Sequence, residues 1–344
     1  MKVPTHAEAI ELLCLLAADE GRGPVLFGDG VGRVTAALRP FMVGKSFPNV
    51  YLEFPLAGDP FLDATVLYSE FDASDHIESP RAVGTEQLRD WFARASREHP
   101  GIAFGYTPDA DESASTPAGV YFQPHEHSEL VVPFCQAAGE PERAELYLDL
   151  AKRLPREWEL AYLGMSRCRA GAPLRVGGYF RRSKLGAEFY SAEYFAECFD
   201  KIGFAAYDAA MLHQITEMAK AAPGDMDFQL DIYPDGTFGD AFALEVKFDA
   251  IVAGRTRALF EGGAGARVMG LLESWGAADG RWKSAVEASL TRTVPVELPD
   301  GTEVRYLFVL LPQWVKARWK DAALQPAKLY HIAFAQQLPQ AAAL

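Results

Sequence analysis

The chain has 344 residues, with 33 Lys and Arg against 47 Asp and Glu, a formal charge of −14 at pH 7. Hydrophobic residues make up 49% and charged residues 23%, an ordinary globular mix that excludes intrinsic disorder. The acidic balance argues against nonspecific nucleic-acid or anionic-membrane binding, which Lys and Arg drive.

A chain of this length buries roughly three quarters of its unfolded surface and needs no disulfide or metal staple. Cys14, Cys135, Cys168 and Cys198 are widely spaced, with no Cys-x-x-Cys pair. They read as reduced thiols rather than as a secreted scaffold or a zinc site. The start, MKVPTHAEAIELLCLLAADE, lacks the basic opening and long apolar run of a signal peptide. No window approaches the ~18 apolar residues of a membrane helix. A cytoplasmic protein is expected.

Apolar residues at helical spacing predict a first helix over Thr5–Asp19. In GRGPVLFGDGVGR, the glycines Gly28, Gly30 and Gly32 match neither the dinucleotide fingerprint nor the P-loop, so they read as turns rather than a phosphate cradle. NVYLEFPL and DATVLYSEF, separated by AGDP, read as a hairpin. A helix follows over EQLRDWFARASRE, with Thr85 as its cap. GIAFGYTP and GVYFQP form a second strand pair, joined by the polar DADESASTPA. Two helices come next, SELVVPFCQAAG and PERAELYLDLAKRL, the latter with Pro141 at its start.

The third strand pair is WELAYLGMSR with PLRVGGYF, followed by helices over SAEYFAECFDKIG and YDAAMLHQITEMAKA. The fourth is DFQLDIYP with DAFALEVKF, around the turn DGTFG. Helical ARVMGLLESWG and WKSAVEASL lead to VRYLFVLLP, a strand WVKARW, and AKLYHIAF. The unit is a strand pair followed by one or two helices, repeated about five times. Hairpins make neighbouring strands antiparallel and exclude a doubly wound parallel sheet. The α+β arrangement that follows is a ten-stranded antiparallel barrel ringed by helices, with a lumen wide enough for a ligand. An open α+β sheet or two smaller α+β domains are the competing arrangements. Residues 1–344 read as one domain, with 1–48 a helical and Gly-rich lead-in and 49–334 the repeated strand-pair barrel.

In such a barrel the helix-facing side of each strand is apolar and the lumen side is free to be polar. Val50, Leu52 and Phe54 face out, leaving Tyr51 and Glu53 inward. The same filter places Tyr121 and Gln123, Arg175 and Tyr179, and Gln229, Asp231 and Tyr233 inside. Glu245 and Lys247 follow, then Lys316 with Arg318, and Lys328 with Tyr330. A polar, solvated outer sheet face explains any one of these strands; basic residues interleaved with tyrosines on several strands of an acidic chain point further. Lys and Arg neutralise phosphate, and Arg does so with a bidentate fork. Tyrosine rings shield a carbocation by cation–π attraction, and an inward carboxylate such as Glu53 handles a proton. Diphosphate departure, a shielded allylic cation and an aromatic acceptor describe prenyl transfer.

The strand-pair-and-helices rhythm resembles the ABBA prenyltransferases, whose ten-stranded antiparallel barrel is encircled by helices. AKLYHIAF resembles the Lys-x-Tyr strand motif of that family's fungal indole and cyanobactin peptide members. Glu53 resembles the carboxylate with which those enzymes orient or deprotonate the acceptor. The likeness spans Asn49 to Phe334; it departs from the pattern where Lys247 is followed by Phe248 and Asp249 rather than by x-Tyr. The resemblance implies prenyl transfer to an aromatic small molecule or peptide side chain, with Glu53 catalytic. Arg175, Lys247, Lys316, Arg318 and Lys328 would hold the diphosphate, and Tyr51, Tyr121, Tyr179, Tyr233 and Tyr330 would shield the cation. No cofactor is expected, Mg²⁺ being the one cation this chemistry would admit. A non-catalytic peptide- or ligand-binding accessory protein of a biosynthetic pathway is the alternative.

Other motifs are weaker. PHEHSE offers His125, His127 and Glu129 as metal ligands, but it reads as a polar loop entering a helix, and no metal is expected there. DASDHIES and TPDADESAS lack EF-hand spacing, and no Gly-x-Ser-x-Gly nucleophile elbow occurs.

Overall fold

The structure is a computed structural model and describes residues 13–14, 23–28, 30–38, 49–68, 85–107, 119–166, 171–180, 190–248, 253–297 and 303–338. Of the helix expected over Thr5–Asp19, only Leu13 and Cys14 fall within the described residues; both are helical and buried. The stretch DADESASTPA lies outside them.

The glycine-rich lead-in forms two helices, α1 (Gly23–Leu26) and α2 (Gly30–Leu38), where turns are expected. Gly28, at φ +53°, makes the break between them. Gly30 lets α2 lie against the barrel, since a Cβ there would come within 2.9 Å of Leu62 Cβ. This glycine serves close packing.

The strands are β1 (Asn49–Pro55), β2 (Asp63–Tyr68), β3 (Ala103–Thr107), β4 (Gly119–Gln123), β5 (Trp158–Ser166), β6 (Leu174–Phe180), β7 (Met226–Ile232) and β8 (Phe238–Lys247). After them come β9 (Leu290–Glu297), β10 (Glu303–Lys320), β11 (Ala323–Leu324) and β12 (Lys328–Leu338). Strands β1 to β8 pair antiparallel in chain order; β8 then pairs with β10, β10 with β12, and β12 with β1. The sheet therefore closes into a ten-stranded antiparallel barrel.

Closure depends on one long strand. VRYLFVLLP and WVKARW, expected as separate strands, are the two halves of β10. Register shifts between Pro312 and Trp314, which leaves Gln313 as a bulge. Before the bulge β10 pairs with β9 (Glu303 to Leu310); after it the same edge pairs with β8 (Trp314 to Lys320). Proline cannot donate to a ladder, so Pro312 sits where the partner changes. Strand β9 has no counterpart in the sequence-based elements, because Pro295 interrupts its alternation; it folds back as a hairpin on the first half of β10, the next strand in the chain.

Helices α3 (Thr85–Glu98), α4 (Val131–Ala137), α5 (Arg143–Arg153), α6 (Ala192–Ile202), α7 (Ala209–Ala221), α8 (Ala253–Phe260), α9 (Ala264–Ser274) and α10 (Arg281–Glu287) fill the remaining connections. Ser191 caps α6 by accepting from the Tyr194 amide, and Asp208 caps α7 by accepting from the Met211 amide. The outward strand residues Val50, Leu52, Val120, Phe122, Leu174, Val176, Phe228 and Leu244 are buried in one core. Phe134 of α4 stacks on Phe122 at 4.7 Å, and Phe199 of α6 meets Phe242 at 4.9 Å. The apolar core therefore lies between barrel and helices, which leaves the lumen free to be polar. Among the described residues, no helix is long and apolar enough to cross a membrane.

Candidate active site

The lumen holds a cavity of about 660 Å³. Its wall includes Glu53, Tyr51, Tyr121, Arg175, Tyr179, Lys247, Lys316, Arg318, Lys328 and Tyr330. Of the eleven residues expected to act on the proton, the diphosphate or the cation, all but Tyr233 thus share one space.

Tyr233 is the exception and a correction. It lies past the end of β7, is 42% exposed and does not line the cavity. Its amide donates to Thr237 and its carbonyl accepts from Gly236, so the turn before Pro234 and Asp235 begins at Tyr233 itself. The alternation ends with the strand, and the ring points away from the lumen.

The lumen's wall is built on paired registers. Glu53 lies opposite Tyr330 of β12 on one side and Asp63 of β2 on the other. Lys328 Nζ and the Tyr330 hydroxyl both donate to the Glu53 carboxylate. Burial pushes this carboxyl up, but the charge of Lys328, these two hydrogen bonds and the charge of Lys316 outweigh it and hold it below its ordinary range. Its neighbour behaves oppositely: burial and the charge of Glu53 raise Asp63 to about 6. Two adjacent carboxyl groups are thus driven apart, one ionised and one poised near neutrality.

Aromatic rings form a continuous panel beside Glu53. Trp314 stacks on Tyr330 at 4.9 Å and 18°, and Tyr51 closes on Trp314 at 4.7 Å. Across the lumen, Tyr121 and Tyr162 meet edge-on at 6.2 Å. Glycines make their places: a Cβ at Gly164 would lie 2.5 Å from the Tyr121 ring, and one at Gly177 would lie 2.0 Å from Tyr162. Lys247 Nζ sits 4.6 Å over the Tyr179 ring and Lys316 Nζ 5.9 Å from that of Tyr330.

Every lumen cation is already matched. Lys247 pairs with Asp227 at 2.8 Å, Lys316 with Glu245 at 2.9 Å, Arg175 with Asp231 at 3.1 Å, and Lys328 with Glu53. Arg318 stands 4.0 Å from Asp231, and Arg175 also donates to the Tyr121 hydroxyl at 3.3 Å. Burial raises Asp227 to about 7, with Glu245 reinforcing it against the opposing charge of Lys247. Among the described residues, Asp227 Oδ1 and the Trp314 indole Nε1 are buried without a hydrogen-bond partner, and both side chains border the cavity. Buried polar groups of this kind are normally satisfied, so they mark where a bound molecule gains most.

Several lumen residues escape the alternation rule as applied. Asp63 and Thr65 follow from the β1–β2 register, since they lie opposite Glu53 and Tyr51. Trp314 shares parity with Lys316, and Asp227 with Gln229. Tyr162 is different: a bulge at Ala161 reverses the faces of β5, so Trp158 and Leu163 both point outward.

No protein-family model matches the chain, and no curated protein matches it in sequence. Solved structures do match its fold. A 6-dimethylallyl tryptophan synthase superposes with a TM-score of 0.54 at 13% identity, covering 96% of both chains. AnaPT from Neosartorya fischeri gives 0.52 at 11% identity, covering 96% of this chain and 92% of that one. The fold is the helix-ringed antiparallel barrel of the ABBA prenyltransferases. At this identity the likeness concerns the fold, and the chemistry rests on the lumen itself.

Proposed function

We propose that this protein transfers an allylic prenyl group from a prenyl diphosphate to an aromatic or indole-bearing acceptor. The observation that carries the reading is the juxtaposition, in one lumen, of Glu53, the Tyr51–Trp314–Tyr330 panel and a bank of Lys and Arg side chains. The donor's C–O bond breaks with its electron pair leaving on the diphosphate, which Arg175, Lys247, Lys316, Arg318 and Lys328 receive. The tyrosine and tryptophan faces stabilise the allylic cation without capturing it. An aromatic carbon of the acceptor supplies the electron pair of the new C–C bond, and its proton passes to a carboxylate, Glu53 being the ionised candidate beside the panel. Asp227 Oδ1 accepts an acceptor N–H in this reading. The lumen carboxylates Glu53, Asp227, Asp231 and Glu245 are engaged by Lys and Arg, so the reading assigns none of them to Mg²⁺.

The matched charges favour a second reading, a binding module for a peptide or other uncharged ligand. Five cations, Arg175, Lys247, Lys316, Arg318 and Lys328, face five acids, Glu53, Asp63, Asp227, Asp231 and Glu245. Calorimetry with dimethylallyl and geranyl thiolodiphosphates separates the two. Saturable binding by the wild-type protein, weakened by Lys328→Ala, supports prenyl transfer; no binding at millimolar donor leaves the module.

A further inference from the structure

Outside the lumen, three potential ligands converge, one of them distant in the chain from the other two. His99 directly follows α3, whereas His127 and Glu129 lie in the connection from β4 to α4, Glu129 within a 3₁₀ turn over Ser128–Leu130. His99 Nδ1 is 3.3 Å from His127 Nδ1, and His127 Nδ1 is 3.2 Å from Glu129 Oε1. The third edge, from His99 Nδ1 to Glu129 Oε1, is 3.9 Å. His125, which the sequence groups with His127, is not part of this trio; it occupies a left-handed turn at φ +49°.

We propose that His99, His127 and Glu129 form a binding site for a divalent transition-metal ion such as Zn²⁺. Zinc–nitrogen bonds of about 2.0–2.1 Å at a tetrahedral angle place donor atoms about 3.3–3.4 Å apart. Two edges of the trio have nearly that length without any ion. The third closes by a rotation of the Glu129 side chain, which at 60% exposed is free to make it. Both imidazoles are largely held already, at 28% and 30% exposed, so little side-chain freedom remains to be lost on binding. Two imidazoles and one carboxylate select Zn²⁺, Ni²⁺ or Cu²⁺ over the all-oxygen preferences of Ca²⁺ and Mg²⁺.

The ion would tie the end of α3 to the segment leaving β4, whose last residue, Gln123, lines the cavity. None of the three ligands lines the lumen, so the site is separate from the proposed chemistry and does not rest on it. Its role is that of a clamp on the barrel's rim. A bound ion stabilises the folded state by mass action, because the unfolded chain does not hold the three groups together.

The test uses tag-free, chelator-treated full-length protein titrated with Zn²⁺ by calorimetry and with Co²⁺ by visible absorption. The expected result is one equivalent bound, the d–d bands of a tetrahedral or five-coordinate Co²⁺ site, and a Tm that rises by a few degrees. His99→Ala and His127→Ala each weaken binding by at least about tenfold, as the loss of one ligand in three demands. Glu129→Ala, at an exposed position where folding is not at stake, weakens it too, whereas His213→Ala does not. Absence of stoichiometric binding by the wild-type protein, or binding that survives His127→Ala and Glu129→Ala undiminished, overturns the proposal.

Discussion

Glu53 and Tyr330 face each other as register partners across β1 and β12, and the tyrosine hydroxyl donates to the carboxylate. Because Tyr330 also stacks on Trp314, one residue links the Glu53 carboxylate to the aromatic panel. Glu53→Gln keeps the shape and removes the charge. Under the proposed function, transfer to an aromatic acceptor is expected to slow by roughly 10²–10⁴-fold, the usual worth of a general base. Donor affinity should not fall, since Lys328 is released from its partner. Single-turnover product formation beside donor calorimetry checks both halves, and a parallel loss of affinity would contradict the assignment.

Lys328→Ala addresses the donor directly. Its side chain is 45% exposed toward the cavity, so little packing is lost with it. Loss of one charge-assisted contact to a diphosphate corresponds to roughly a tenfold or greater weakening. Thiolodiphosphate titrations should show this.

The lumen's electrostatics give donor binding a pH dependence of definite sign. Asp227 titrates at about 7, and in its ionised form it neutralises Lys247. Below pH 7 it takes up a proton and Lys247 is left with an uncompensated charge. Donor thiolodiphosphate is therefore expected to bind several-fold more tightly at pH 6 than at pH 8, after allowance for ionisation of the ligand itself. Asp227→Asn should flatten the difference; a dependence identical in wild type and variant would remove Asp227 as its cause.

Gly177 tests how the lumen is built. A methyl group there would lie 2.0 Å from the Tyr162 ring, which must then swing into the cavity. Overpacking of this kind costs about 1–3 kcal/mol. Gly177→Ala should lower the denaturant midpoint accordingly and reduce acceptor binding, whereas Gly236→Ala, in an open turn at φ +82°, should destabilise without touching acceptor affinity.

How much was legible in the sequence follows from the period of a strand. Two-residue alternation is local, so it assigned Glu53, Arg175, Lys247, Lys316, Lys328 and Tyr330 to the inner face with no knowledge of their neighbours. The hairpin rhythm and the repeated helices likewise pointed to a closed antiparallel barrel. Bulges and strand ends escape such reasoning. Ala161 reverses the faces of β5 and hides Tyr162, and the turn that begins at Tyr233 carries that ring outside.

Pairings between distant residues were the province of tertiary structure alone. Alternation places Asp231 and Glu245 on the inner face along with the Lys and Arg residues, but it does not say which charge meets which. Strand register brings Asp231 to Arg175 across β6 and β7 and Asp227 to Lys247 across β7 and β8, and the β8–β10 pairing brings Glu245 to Lys316, which balances the charge. It likewise took the fold to bring His99 to His127 across 28 residues. Composition and period fix which side of the wall a residue occupies; what it meets there depends on register and closure, set by contacts that span the whole chain.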